Sequence, residues 1–169
     1  MATHFTPEPL EVTAVIHPKL HETNTMKHRF GEIAQAINWY NLMFSGHKID
    51  ECLIYLIGLF EELSLSEMKS ACQRLTMPDR LLDRALQAHR ETDPLLAKLA
   101  RSDISSSMVY NILRPLAHET LVYALSTTHS QQAKKSISLY LTHLKDIKLS
   151  IGGDDLISMG VEPGPIYRE

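Results

Sequence analysis

The chain has 169 residues, of which 22% are charged and 44% apolar, with a formal net charge of −3 at neutral pH. These values fit a water-soluble globular domain and exclude a disordered or fibrous chain, and a chain of this size buries roughly 70% of its unfolded surface. The acidic balance also counts against binding of nucleic acid by bulk electrostatics, so any such contact has to be local.

The start of the chain, Met1 to Pro7, carries neither a basic cluster nor an apolar run, so no secretory signal is read there and a cytoplasmic protein is expected. Residues 1–25 hold three prolines and little helical periodicity, which predicts a linker and an irregular incoming stretch, with a domain boundary upstream. From Met26 the apolar spacing becomes helical, with Phe30, Ile33, Ala34, Ile37, Tyr40 and Phe44 on one face and Ser45-Gly46 as the stop. Asp50 can cap a second helix to about Leu63, apolar nearly all round and therefore covered on most sides. Its apolar run from Cys52 to Phe60 is about half the ~20 residues a membrane span needs, so it predicts a core helix and no membrane partner.

Ser64 to Glu67 fits a capping box and opens a third helix to about Leu75. Pro78-Asp79 opens a fourth, with Leu81, Leu82, Ala85 and Leu86 as its buried stripe, and Asp93-Pro94 predicts a new, fifth helix ending near Arg101. A sixth follows the serine-rich turn at residues 102–107, Pro115 breaks or kinks it, and Leu116 to Leu125 continue as a seventh. Ser130 caps the longest remaining segment, expected to run to about Ser150 with Ile137, Tyr140, Leu141, Leu144 and Ile147 on one arc. No alternating run of β-branched residues, repeat or low-complexity tract is present. The expected fold is therefore an all-α, multi-helix bundle of about eight to ten helices with no sheet, its helical body spanning residues 26–150.

The last stretch, residues 151–169, has the most specific pattern. Gly152 and Gly153 let the backbone leave the preceding helix, Asp154 or Asp155 can cap a short new one, Gly160 supplies a left-handed stop, and Pro163-Gly164-Pro165 begins another segment. The chain ends at Tyr167-Arg168-Glu169, inside what should be the first turn of that segment, which predicts a truncated tail. The pattern Gly-Asp-Asp-Leu-x-x-x-Gly-x-x-Pro-Gly-Pro resembles a signature near the C-terminal end of bacterial tRNA nucleotidyltransferases, the CCA-adding, A-adding and poly(A) polymerase family. Residues 140–149, 116–121 and 15–20, with Trp39-Tyr40, resemble helices that precede that signature.

The resemblance implies a C-terminal helical region that binds and positions tRNA or another structured RNA, beside upstream domains of a longer parent. It implies a catalytic head elsewhere, using ATP or CTP with magnesium, and no cofactor or activity in this chain. The residues agree. Nucleotidyl transfer needs paired metal-binding carboxylates, and the family places them in an Asp-x-Asp that this chain lacks; Glu91-Thr92-Asp93 has no glycine-rich turn before it. Asp154 and Asp155 diverge by roughly 100° on a helix and read as caps. The nine histidines offer no recognisable metal set: Pro18 disfavours a helical His17–His21 pair, and His118-Glu119 is not His-Glu-x-x-His. Cys52 and Cys72 read as reduced, buried and inert.

The candidate RNA surface lies on the helix after Ser130. At 100° per residue, Lys134, Lys135, Ser138, Thr142 and Lys145 share one sector, with Lys148 beyond them and the apolar arc opposite. Such a strip can contact successive phosphates, and it can equally be an ordinary solvated face. Arg80 and Arg84, flanking Asp83, suit an internal ion-pair strip as well as a phosphate site, while Tyr110, Tyr123, Tyr140, Trp39 and Tyr40 sit at core spacing. The rival function is a helical interaction or dimerisation module with a second copy as partner and no RNA binding of its own.

Overall fold

The computed structural model describes residues 16–20, 23–44, 46–147, 158 and 160, and these are helical throughout their regular structure, with no strand among them. Seven α-helices are present in the described residues: α1 Asn24–Met43, α2 Glu51–Leu59, α3 Leu65–Arg74, α4 Asp79–Leu99, α5 Ser106–Leu113, α6 His118–Thr127 and α7 Gln131–Thr142, followed by a 3-10 turn at Leu144–Asp146. No helix among them is long and apolar enough to cross a membrane.

Most helix starts follow from local chemistry. Thr23, Asp50, Ser64, Ser105 and Ser130 each accept, through the side chain, one of the backbone N–H groups left free at the helix start. Ser64 and Glu67 complete the expected capping box in both directions. The Lys19 ammonium, 2.7 Å from Glu67, and the hydrogen bonds from Ser64 together lower the Glu67 carboxyl to about 2. Pro115 separates α5 from α6 as expected, since a proline there cannot carry the helix ladder onward.

Two expectations are corrected. Residues 79–99 form one helix, not two, with Pro94 inside it. The buried stripe Ala85, Ala88, Thr92, Leu95 and Leu99 runs unbroken past the proline at alternating steps of three and four, while Pro94 itself is exposed, so the missing hydrogen bond falls on the solvent side. This merger, with the tail motif largely outside the described residues, leaves seven helices where eight to ten were expected. The helix after Ser130 stops at Thr142, not near Ser150. His143 leaves helical geometry with φ −132°, and the 3-10 turn that follows buries Leu144 while Ile147 stays 60% exposed.

α1 packs along α6 and beside α2, and α2 in turn meets α6. Ile33, Ile37 and Tyr40 from α1, Ile54 and Ile57 from α2, and Leu121 from α6 are buried there. Burying a large apolar side chain contributes about 1.5–3 kcal/mol each. Gly58 lies at the close approach, where a Cβ would meet Ile33 Cδ1 and that side chain would have to move. α4 bridges this group to α3 and to the α5–α7 pair. Leu20, in the stretch expected to be an irregular approach, is also buried in the core.

Candidate nucleic-acid interface

The Ser130 hydroxyl caps α7 by accepting from the Ala133 N–H. Ala133, Ser136, Ile137, Tyr140 and Leu141 point into the core, so Lys134, Lys135, Ser138 and Thr142 lie on the opposite side, as the periodicity required. Lys135 is exposed; Lys134, Ser138 and Thr142 are half-buried. The Thr142 hydroxyl donates to the Ser138 carbonyl at 2.8 Å, so its proton is held by the helix, not offered outward.

Because α7 ends at Thr142, Lys145 does not extend that strip. Its ammonium lies 4.3 Å from the centroid of the Phe44 ring, a cation–π contact that ties the turn to the end of α1. Lys148 lies outside the described residues, as do Gly152, Gly153, Asp154, Asp155, Pro163, Gly164 and Pro165. Of the tail pattern, Ser158 is helical and Gly160 has φ +80°, the left-handed conformation expected of its stop.

The other charged residues sort into structural roles. Arg84 meets Glu119 at 2.8 Å and lies 3.8 Å from Asp50, which makes it an internal ion pair, while Arg74, Arg80 and Arg90 are exposed. Glu119 also accepts the Asp50 N–H, so it fastens the start of α2 to α6. The Tyr40 hydroxyl and His118 Nδ1 share a hydrogen bond of 2.7 Å across the α1–α6 contact. Burial pushes the His118 imidazole below its ordinary value, and the nearby Lys145 charge pushes it further. Arg29 grips Glu61 through two nitrogens, at 2.7 and 2.9 Å, and reaches Glu32 at 2.7 Å. None of these long-range pairs is visible in local sequence patterns.

Cys72 is buried, and burial pushes its thiol up; Cys52 is exposed, contrary to expectation, because it sits in the first turn of α2 on the side away from Leu53 and Ile54. Among the described residues no three His, Cys, Asp or Glu side chains are grouped so as to hold a metal ion. Aromatic residues mostly pack: Tyr40, Tyr123 and Tyr140 are buried, while Trp39 and Tyr110 are half-buried.

No protein-family model matches the chain. Over 159 residues it is 31% identical to an A-adding tRNA nucleotidyltransferase of Geobacter sulfurreducens, a match that covers 91% of this chain and 18% of that protein. Among solved structures it is similar to the Thermotoga maritima CCA-adding enzyme complexed with tRNA, at TM-score 0.69 and 22% identity over 94% of this chain and 38% of that one. A second, described as a tRNA-processing enzyme complex, aligns at TM-score 0.72 and 19% identity over 89% of this chain and 39% of the other. These structures establish likeness of fold, and the chain spans well under half the length of each protein it matches. Over nearly its whole length the chain is thus similar in sequence to a part of an A-adding tRNA nucleotidyltransferase, and it shares its fold with a part of the CCA-adding enzymes.

Proposed function

We propose that this chain is the tRNA-holding region of a tRNA nucleotidyltransferase, positioning the RNA so that its 3′ end reaches a catalytic head outside these 169 residues. The observation that carries the reading is the 31% identity to an A-adding enzyme across nearly the whole chain. In this reading magnesium and ATP or CTP belong to the head, and the chain itself holds no cofactor. Recognition rests on the shape of a folded RNA and on its backbone, since the deep, narrow major groove of an RNA helix is closed to side chains. The outward side of α7, with Lys134, Lys135 and Ser138, offers a local basic surface on an otherwise acidic chain. Competition tests this. Labelled tRNA bound to the chain should be displaced by unlabelled tRNA far more readily than by an unstructured RNA of equal length; equal displacement by both would contradict recognition of a folded tRNA.

One observation supports a second reading, a helical interaction module. Leu42 and Met43, adjacent at the end of α1, are 84% and 52% exposed. Exposed apolar side chains at one place mark protein contacts. A mass that rises with concentration and returns to the monomer value in Leu42→Ser would favour this reading.

A further inference from the structure

A second surface carries an amide and a charge that make no hydrogen bond or ion pair with described residues, Asn111 and Arg114, beside a Ser107 hydroxyl that meets Ser105 at 3.1 Å. α5 places Ser107, Tyr110, Asn111 and Arg114 at steps of three and four, so they form one stripe, while Val109 and Leu113 are buried in the core. The stripe faces a cleft of about 560 Å³, closed on its far side by Leu144 and Ile147 of the turn after α7. Among the described residues no carboxylate lines the cleft. The Arg114 guanidinium stands 5.8 Å from the centroid of the Tyr110 ring and makes no ion pair with any described residue. Arg29, Arg84 and Arg101 each hold a carboxylate within 3 Å, whereas Arg74, Arg80 and Arg90 are exposed like Arg114, which differs from them in facing the cleft. An exposed guanidinium held over a ring face, flanked by an amide and hydroxyls and facing apolar carbon, suits a ligand with an anionic group attached to a less polar body. The stripe rises about 10 Å along the helix, long enough to follow a stretch of backbone.

We propose that this cleft takes the sugar–phosphate backbone of the bound RNA, with a phosphate on Arg114 and Asn111 and the adjoining ribose against Leu144 and Ile147. The inference rests on the tRNA-holding reading above and adds a contact on α5, separate from the α7 strip. Arg114 is the phosphate contact; Tyr110 positions it. Asn111 is exposed on the stripe, so a carboxylate there changes the charge of the cleft without disturbing the core.

The test is fluorescence anisotropy of labelled tRNA with the 169-residue chain across a salt series, comparing wild type with Arg114→Ala, Arg114→Lys and Asn111→Asp. Circular dichroism reports folding for each. Arg114→Ala should weaken binding about tenfold and lower the slope of log affinity on log salt by about one. Asn111→Asp should weaken it comparably, and Arg114→Lys should keep the wild-type slope while losing part of the affinity, because an ammonium lacks the planar fork. Wild-type affinity and slope in both Arg114→Ala and Asn111→Asp would overturn the inference alone, provided the wild type binds. Failure of the folded wild type to bind tRNA even at about 50 mM salt would overturn the tRNA-holding reading and this contact together.

Discussion

The Arg84 guanidinium and the Glu119 carboxylate, 35 positions apart in sequence, meet at 2.8 Å where α4 passes α6. The arginine is 31% exposed and the glutamate 13%, so the pair lies at the edge of the core and is screened less than a surface pair. Burial by itself would raise the Glu119 carboxyl. The Asp50 N–H, its own backbone N–H and Arg84 outweigh burial and hold it below the ordinary glutamate value. Glu119→Gln should therefore lower stability by about 2 kcal/mol, as expected when charge-assisted hydrogen bonds are lost. The sign with pH follows: the carboxyl is lower in the folded chain, so its contribution is present at neutral pH and lost as pH falls from the ordinary glutamate value through the lower folded one. Urea unfolding of both chains between pH 7 and pH 3 checks this; a mutational loss that does not shrink with acid would contradict it.

His118 gives the opposite kind of group, a base disfavoured in its charged form. Burial, then Lys145, lowers its proton affinity. Because the unfolded chain takes up the proton first, His118 should cost stability as pH drops through the ordinary histidine range. Lys145→Ala should raise the His118 titration midpoint, read by NMR of the imidazole protons. An unchanged midpoint would mean that Lys145 does not sit over Phe44 beside this histidine.

Pro94 interrupts the ladder of α4 without interrupting the helix. Proline in a helix interior costs about 3 kcal/mol relative to alanine, part of which returns through a stiffer unfolded chain. Pro94→Ala restores an N–H facing the Arg90 carbonyl and removes no buried contact, since Pro94 is exposed. The variant should be more stable by about 1–2 kcal/mol in thermal or urea unfolding. A loss of stability would show that the proline ring supports the adjoining surface of Leu116 and Ile112.

The parts of this fold that depend on near neighbours could be read from the sequence. The Asp50, Ser64 and Ser130 caps, the Ser64–Glu67 box and the break at Pro115 each follow from a few adjacent residues. The length of α4 could not, because the packing of Thr92, Leu95 and Leu99 overrides a local stop signal at Pro94. The end of α7 does not follow from its periodicity either: the chain leaves helical geometry at His143, and the 3-10 turn takes Lys145 off the lysine strip and onto Phe44. The structural roles of His118 and Glu119 cannot be read locally, since their partners Tyr40 and Arg84 lie far away in sequence. The α5 stripe went unread because Ser107, Asn111 and Arg114 carry no motif; only the cleft that faces them sets them apart.

The most direct test of the central claim, that this chain holds tRNA through the RNA backbone, is a salt-dependent tRNA-binding isotherm for wild type and for Lys134→Ala/Lys135→Ala. The account predicts wild-type binding that weakens with a slope of a few units on log salt, and a slope lower by about one for each lysine that contacts a phosphate. Binding by neither chain at low salt, with both folded by circular dichroism, would contradict it.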